Sequence, residues 1–320
     1  MKPMPRRVVI TGANGLLGRS AMSVLAMDHQ VRGVDLAPVE NLVDACDIRD
    51  TERLEVLFRD ADSVLHLAGQ DSADDISETR FFDLNTFGTW SVCEAASRAG
   101  VKRLVYCSSA SVYGLDHTNP GLAPQALPVT EDHPTFPSQP YALSKRAAEE
   151  AVSALSRSRP KMVVSTLRLS AVICDSDIAS LRRDLGETPM TWKKPFKASD
   201  SMPEGRNDYW VPLYRSYITT LDAATAFAAA LAMDRPGYHL FNICADDTLT
   251  PEPTLAFVTR TLGSLPPVED AQRYRDNPRS AVFSNAKAAR DLGWAPIRTW
   301  RQMTMKASWP LAEDREKHHG

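Results

Sequence analysis

What the sequence has little of excludes several protein classes. No apolar run approaches the ~20 residues that a membrane-spanning helix needs, and at a net charge of −3 no lysine and arginine cluster indicates a nucleic-acid surface. Cysteine is scarce, odd in number and never arranged as C-x-x-C, so neither a disulfide scaffold nor a metal site is indicated. The basic start of the chain lacks an apolar signal segment, and we expect no secretory leader. We interpret the cysteines as free thiols of a reducing, cytoplasmic protein: Cys46, Cys93, Cys107, Cys174 and Cys244.

A glycine series near the start of the chain indicates a phosphate-binding turn. Residues 8–10, Val-Val-Ile, are typical of a buried strand, and apolar residues at helical spacing begin at Leu16. Gly12, Gly15 and Gly18 follow the strand in the spacing G-x-x-G-x-x-G, which suits a tight turn, close approach of the backbone to a pyrophosphate and tight helix packing. The amino end of the helix offers N–H groups to phosphate. The whole unit predicts a dinucleotide site.

An acid at the end of the second predicted strand, residues 30–35, bears on the choice of dinucleotide. Asp35 follows Gly12 by 23 residues, a position from which a carboxylate accepts the ribose hydroxyls of NAD and repels the 2′-phosphate of NADP. Arg32 is a nearby positive charge that favours NADP only weakly. The alternative for Asp35 is to cap the turn before Pro38. The spacing favours the cofactor role, and we predict NAD.

Strand and helix patterns alternate through the first half of the chain. This alternation predicts an α/β fold, a Rossmann-type doubly wound parallel sheet with helices on both faces. Gly100 is predicted to stop a helix, and the Pro-rich residues 119–140 are predicted to be loop. Strands are predicted at 8–10, 30–35, 63–67, 103–108 and 162–169, and helices at 51–59, 76–99 and 141–158.

The second half of the chain is less regular. Residues 175–214 have little periodicity, and we interpret them as a cap over the carboxyl ends of the strands. A strand at 216–221 and a helix at 223–233, with Asp222 as its N-cap, are predicted to return to the sheet. The predicted division is an NAD-binding domain of residues 1–172 joined by 216–245, and a smaller substrate lobe of residues 173–215 and 246–320.

Two polar motifs are candidates for a reaction centre. Tyr141 and Lys145 form Y-x-x-x-K at the start of a predicted helix and therefore share one helix face. A phenol is a poor base at neutral pH, and a neighbouring ammonium lowers its pKa towards the working range. Ser108, Ser109 and Ser111 lie at the end of the strand at 103–108, at the sheet edge where ligands bind in open parallel sheets. Taken singly, the motifs also fit an exposed helix pair and a solvated turn.

The motifs occur in an order that resembles the extended short-chain dehydrogenase/reductase family, the group of NAD-dependent sugar epimerases and dehydratases. Each block is common, whereas the ordered series through nearly the whole chain is specific. The matching blocks are TGANGLLG, Asp35, the acid of DIRD at Asp47, HLAG, NTFGT at Asn85, SSASVYG, YALSK and LGWAP.

The resemblance implies roles for individual residues. Ser109 would bind the reacting oxygen, Tyr141 would act as general acid and base, and Lys145 would contact the cofactor ribose. The glycine turn, the two acids and the HLAG backbone would hold NAD, and Asn85 would shape the sheet edge. The implied cofactor-binding residues are Gly12, Asn14, Gly15, Leu16, Gly18, Asp35, Asp47, Ile48, Leu67, Ala68, Gly69, Asn85, Ser108, Tyr141 and Lys145.

Arginines are the candidates for the substrate side. Arg215 begins R-S-Y-I-T-T-L-D, which resembles a family segment whose arginine contacts a diphosphate, and a second such arginine is expected at Arg273 or Arg275. Against a nucleotide sugar stand the lack of asparagine near Ser170 and the presence of Thr219 where the family usually has histidine. Each arginine could instead form a surface ion pair. Candidate substrate-binding residues are Ser109, Ser111, Ser170, Arg215, Arg273 and Arg275, with Arg206 and Trp210 in the cap.

The resemblance implies an NAD-dependent epimerase or dehydrogenase, and we predict a nucleotide-sugar 4-epimerase-like enzyme. The alternatives are an NAD-dependent dehydrogenase or reductase of a sugar acid or other small hydroxy compound, and a non-catalytic NAD-sensing regulator. The acids usual in dehydratases are absent from SSASVYG. Family members commonly pair through two helices, so a homodimer is expected, with no nucleic-acid or membrane partner. The candidate contacts, which could instead pack on the protein's own sheet, are Trp90, Val92, Ala95, Ala148, Val152 and Leu155.

Overall fold

A parallel seven-stranded sheet forms the centre of the protein. The computed structural model describes residues 5–70, 77–115, 122–174, 213–250, 252–297 and 299–300. The large sheet has the order β3-β2-β1-β4-β5-β6-β9, and β7 and β8 pair separately. The strands are β1 (Arg7–Thr11), β2 (Gln30–Asp35), β3 (Val43–Ala45), β4 (Ser63–His66), β5 (Arg103–Ser109), β6 (Val163–Leu169), β7 (Ala171–Ile173), β8 (Tyr217–Thr219) and β9 (Gly237–Ile243).

Helices cover both faces of this sheet. Helices α1, α6 and α9 pack on one face, and α2, α4 and α5 pack on the other. The predicted doubly wound α/β fold is therefore confirmed. The helices are α1 (Leu16–Leu25), α2 (Thr51–Phe58), α3 (Glu78–Phe81), α4 (Gly88–Arg98), α5 (Pro140–Ser158), α6 (Thr220–Ala232), α7 (Thr254–Leu262), α8 (Ala271–Asp276) and α9 (Ala286–Leu292).

Strand β5 shows why the central strands read as continuous apolar runs. Its side chains alternate between the two faces, and both faces are covered. Leu104 and Tyr106 pack with the α2–α4–α5 side, whereas Val105 and Cys107 pack with the α1–α6 side. A strand buried on both faces needs an apolar residue at nearly every position.

A third apolar cluster forms a smaller lobe beyond the carboxyl edge of the sheet. Phe257, Tyr274 and Phe283 from the second half of the chain belong to it. Residues 110–115 and 122–129, which the predicted division places in the NAD-binding domain, supply much of the remainder, with Val129 bridging to Phe283. The lobe is thus built from both halves of the chain. Of the cap that we expect at 175–214, residues 175–212 lie outside the described residues.

Four local features differ from the sequence expectation. The strand predicted at 216–221 to return to the sheet is the shorter β8, which pairs with β7 outside the seven-stranded sheet. Strand β3 is a short edge strand at a position where no strand is predicted from the sequence. The predicted helix at 76–99 is interrupted by a π-helix over residues 82–87. The N-cap of α6 is Thr219, whose Oγ1 accepts the N–H of Asp222 at 3.0 Å, and Asp222 lies inside the first turn. The prediction of Asp222 as the cap was wrong because Thr219 forms a capping pair with it.

Two other expectations, those for Gly100 and for the cysteines, agree with the structure. Gly100 has a φ of 74° directly after α4, as a helix-stopping glycine requires. All five cysteines are free. Among the described residues, no helix is long and apolar enough to cross a membrane, and no cluster of potential metal ligands occurs.

Candidate active site

The glycine turn between β1 and α1 is built by close backbone contacts. Gly12 has a φ of 72°, and a Cβ there would lie 2.6 Å from the backbone nitrogen of Ala68. A Cβ on Gly18 would lie 2.0 Å from the Gly12 carbonyl oxygen, so α1 packs directly on the turn. Gly15 is the extended N-cap of α1, and no side chain caps the helix there. The first-turn N–H groups, including that of Leu16, therefore suit a pyrophosphate.

Asp35 stands at the end of β2, beside this turn. Its Oδ2 accepts the N–H of Asn14 at 2.9 Å and its Oδ1 accepts the N–H of Leu36 at 2.7 Å. Each oxygen keeps a further lone pair for a ribose hydroxyl. Arg32 forms a two-point ion pair with Asp44 and is committed to it. These residues fit NAD.

Asp47 is less open than the resemblance implies. Its Oδ2 accepts a hydrogen bond from Arg49 at 2.5 Å, and Arg49 also binds Asp83 of the π-helix at 2.5 Å. The hydrogen bond from Arg49 lowers the pKa of Asp47. Ile48 is buried against Gly88, where a Cβ would lie 2.6 Å from Ile48 Cδ1. The segment is thus fixed between the sheet and α4, with the Asp47 carboxylate shared with Arg49.

His66, in the HLAG segment, anchors the backbone that follows β4. Its Nδ1 lies 2.7 Å from Thr11 Oγ1 and its Nε2 lies 2.9 Å from Thr89 Oγ1. Burial, assisted by the charge of Lys145, lowers the pKa of His66 to about 3, so the ring is neutral. The next residue, Leu67, donates its N–H to the Thr11 carbonyl at 3.1 Å. The HLAG backbone is therefore held beside the glycine turn.

Asn85 lies in the π-helix and joins two parts of the site. Its Oδ1 accepts the N–H of Gln70 at 2.7 Å, and its Nδ2 donates to the Gln70 carbonyl at 3.1 Å and to Ser144 Oγ at 3.0 Å. A Cβ on Gly69 would lie 2.7 Å from Asn85 Oδ1. Asn85 thus connects the loop after β4 to α5, which carries Tyr141 and Lys145.

Tyr141 and Lys145 lie in the first turns of α5, facing the end of β5. Lys145 is 7% exposed and its Nζ donates to the Cys107 carbonyl at 3.1 Å. The ring of Tyr141 packs edge-on against Phe81 with centroids 6.0 Å apart. Lys145 therefore lies against the end of β5, one helical turn after Tyr141.

The serines of SSASVYG point in different directions. Ser109 Oγ donates to Ser111 Oγ at 3.0 Å and accepts the Ser111 N–H at 3.2 Å, and both residues are partly exposed at the sheet edge. Ser108 is buried, and its Oγ donates to Glu149 Oε1 at 2.7 Å. The hydroxyl of Ser108 is thus bound within the protein, which leaves only its backbone for the predicted cofactor contact.

Arg215 and Ser170 lie where the chain passes into the lobe. Ser170 is buried, and its N–H donates to the Ile243 carbonyl at 3.1 Å. Arg215 is 9% exposed and has a φ of 57°, a conformation that is rare outside glycine. Burial, with the nearby Arg260, lowers the pKa of Arg215 to about 10. A guanidinium kept away from water in this way is favourable for binding an anion.

The other predicted substrate residues are separated. Arg273 turns inward and donates to the Phe283 carbonyl at 3.4 Å, whereas Arg275 is exposed and binds Gln272. Two residues apart on one helix, they point to different sides. Arg206 and Trp210 lie outside the described residues.

One buried group of the site is not among the residues predicted from the sequence. Glu149 follows Lys145 by one helical turn and pairs with Arg168 of β6. The i, i+4 spacing from Lys145 could have indicated that Glu149 shares its face. Its partner is 19 residues further along the chain, and no local pattern indicates that contact.

These elements define a dinucleotide-dependent enzyme, with a serine, a tyrosine and a lysine as candidates for its reaction centre. The chain belongs to the NAD dependent epimerase/dehydratase family, which matches residues 8–186, and NAD is the cofactor of that family.

Some similar proteins match most of the chain, and others match less than half of it. The UDP-glucose 4-epimerase of Corynebacterium glutamicum is 24% identical over 324 residues, covering 95% of this chain and 94% of the relative. The L-arabinose 1-dehydrogenase (NAD(P)(+)) of Haloferax volcanii is 34% identical over 145 residues, 43% of this chain and 57% of that protein. The solved UDP-glucose 4-epimerase from Bifidobacterium longum, in complex with NAD+ and UDP, has a TM-score of 0.64 at 20% identity, covering 93% of this chain and 96% of that chain.

Proposed function

We propose that the protein interconverts the C4 epimers of a nucleoside diphosphate sugar, with NAD as its cofactor. One observation carries the proposal. Lys145 is hydrogen-bonded to the Cys107 carbonyl at the end of β5. Ser109 lies at the same end of that strand, in a fold that also has the complete glycine turn of a dinucleotide site. Full-length similarity to UDP-glucose 4-epimerases supports the substrate class.

Two observations on the substrate side add support. Arg215 is buried and its pKa is lowered by that burial, which makes it suited to a diphosphate. Thr219 stands where the family usually has histidine, and in the structure it is the buried N-cap of α6. Its hydroxyl is used in folding the helix, so the absence of histidine there weighs little against a nucleotide sugar.

The chemistry follows from three side chains. Tyr141 takes the proton of the C4 hydroxyl as the C4–H bond breaks, while Ser109 donates a hydrogen bond to the oxygen that becomes a carbonyl. NAD, when bound, supplies the acceptor for the hydride and returns it. Lys145 favours the phenolate form of Tyr141. Rotation of the 4-keto sugar exposes its other face, Tyr141 gives the proton back, and C4 is inverted without net oxidation.

The test is turnover of UDP-galactose by the NAD-loaded protein, with UDP-glucose measured by ion-exchange chromatography. We expect UDP-glucose to form without accumulation of NADH. NADH release with free pentoses or sugar acids, and no epimerisation, would establish the dehydrogenase alternative, which the arabinose dehydrogenase similarity favours over part of the chain. NAD binding without either reaction would establish the regulator and contradict the proposal.

A homodimer is part of the proposal, with a revised set of contacts. Phe87 and Trp90 are 53% and 46% exposed along one side of the π-helix and α4, and Leu143 is 45% exposed on α5. Ala147 and Ala151 follow Leu143 on the same side of α5 and are partly exposed. In a twofold dimer, the large side chains of α4 could therefore pack against these alanines of the partner subunit. The earlier candidates other than Trp90 pack inside the protein and are excluded as contacts: Val92, Ala95, Ala148, Val152 and Leu155.

A cytoplasmic location is also proposed, because the five cysteines are free and free thiols persist in reducing compartments.

A further inference from the structure

Glu149 is a carboxylate without access to solvent on the helix that carries Tyr141 and Lys145. Its side chain and that of Arg168 are only 2% and 5% exposed. Glu149 Oε1 accepts Arg168 Nε at 2.8 Å and Ser108 Oγ at 2.7 Å, and Oε2 accepts the terminal guanidinium nitrogen of Arg168 at 2.7 Å. The carboxylate therefore receives three hydrogen bonds from two neighbouring strands.

The two strands contact Glu149 at the level of the reaction centre. Ser108 and Arg168 are opposite each other in the β5–β6 ladder, one residue before Ser109. The carbonyl of Cys107, one residue earlier, accepts Lys145 Nζ at 3.1 Å. Two successive residues of β5 thus hold two successive turns of α5. A slide of the helix along the strand would break both attachments.

Stability alone does not account for this buried ion pair. Desolvating two charges costs several kcal/mol each, and apolar pairs of similar volume often stabilise a core as well or better. A two-point guanidinium–carboxylate pair instead fixes distance and orientation. Arg168 is itself held, because its guanidinium lies 4.7 Å from the centroid of the Tyr113 ring, and Tyr113 Oη donates to Asn242 of β9 at 2.7 Å.

We propose that Glu149, through Ser108 and Arg168, is a positioning residue that fixes the register of α5 against β5 and so holds Tyr141 and Lys145 at Ser109. The inference rests on the proposed function for its kinetic test, because that test needs a turnover to measure. Its spectroscopic test needs no substrate.

The kinetic test compares Ser108→Ala and Glu149→Gln with matched controls. Ser165→Ala removes a buried strand hydroxyl that has no hydrogen-bond partner among the described residues, and Glu150→Gln changes the exposed acid next to Glu149. We expect kcat to fall roughly tenfold in Ser108→Ala and up to about 100-fold in Glu149→Gln, the scale on which a small misplacement acts. NAD affinity and both controls should stay at wild-type values.

The spectroscopic test follows the titration of Tyr141 in NAD-bound protein labelled with 13Cζ-tyrosine, with Tyr141→Phe assigning the signal. Ser108→Ala changes no charge, so a higher Tyr141 pKa in this variant reports displacement of Lys145. A purely structural role leaves this pKa unchanged.

The outcomes separate the two proposals. An unchanged Tyr141 pKa, or a kcat that falls only in proportion to lost NAD binding or lost folded protein, would overturn the positioning role. If Glu149→Gln does not fold, Ser108→Ala decides. If the wild type turns over no nucleotide sugar, the proposed function fails, and the tyrosine titration still decides the role of Glu149.

Discussion

The carboxylate of Asp35 accepts the backbone N–H of Asn14 at 2.9 Å. The acid that ends β2 is therefore fixed against the glycine turn, in the position from which it can bind a ribose. This contact joins the two sequence motifs from which NAD was predicted.

The first prediction concerns cofactor choice. Asp35→Ala should weaken NAD binding by about 1.5–3 kcal/mol, the typical contribution of hydrogen bonds to a charged group, and should reduce the discrimination against NADP. Fluorescence titration with both dinucleotides measures this. Arg32→Ala is the control, because Arg32 is bound to Asp44 and its loss should leave NADP affinity unchanged. Tighter NADP than NAD binding by the wild type would contradict the assignment.

The second prediction concerns proton transfer. Tyr141→Phe removes the hydroxyl and keeps the ring that packs against Phe81. Turnover should fall by roughly two to four orders of magnitude, the usual contribution of general acid–base catalysis. NAD binding should persist, and a melting curve with NAD checks this in the same sample. Near-normal turnover of the Phe variant would show that another group carries the proton.

The parts of the fold that were predicted correctly are those encoded locally. The β1–α1–β2 unit, β5 and α5 each have a strand or helix period bounded by glycine, proline or polar residues. Strand β3 was missed because three residues at a sheet edge carry no period. The same holds for the site. The spacing of Tyr141 and Lys145 is local, whereas the contact of Ser108 with Glu149 joins residues 41 apart in the chain and depends on how α5 packs.

The third prediction concerns acid stability. Burial keeps His66 neutral in the folded protein, lowering its pKa from 6.5 to about 3. Between these values the unfolded chain binds the proton and the folded protein does not. Stability is thus fully present above pH 6.5 and falls towards pH 3 by up to about 1.4 kcal/mol per pH unit from this group.

Urea unfolding from pH 7 to pH 4 measures this contribution. His66→Gln should be less stable than wild type at pH 7, because it loses a hydrogen bond to Thr11 or Thr89, but its stability should depend less steeply on pH. Parallel pH profiles for the two proteins would show that His66 is not the titrating group.

The fourth prediction concerns assembly. Trp90→Glu and Leu143→Glu place charges on the exposed apolar surface of α4 and α5 and should convert a dimer to folded monomers, as measured by light scattering. Met27→Glu is the matched control, because Met27 is 73% exposed just beyond α1, on the opposite face of the sheet. A monomeric mass for the wild type at micromolar concentration would contradict the homodimer.

The last prediction concerns the substrate. Arg215 lies where the lobe meets the sheet, held by a left-handed backbone at Tyr214 and Arg215, and its pKa is lowered to about 10 by burial. A diphosphate would compensate this desolvated charge, so Arg215→Ala should weaken nucleotide-sugar binding by about 1.5–3 kcal/mol and spare NAD. Arg275→Ala should change neither affinity, because Arg275 is exposed and bound to Gln272. The single carboxylate of a sugar acid could also bind Arg215. Binding of UDP, which has a diphosphate and no sugar, therefore distinguishes a diphosphate site from a carboxylate site. If neither UDP nor any nucleotide sugar raises the melting temperature of the NAD-bound wild type, the diphosphate assignment is wrong, and the variants are not needed to show it.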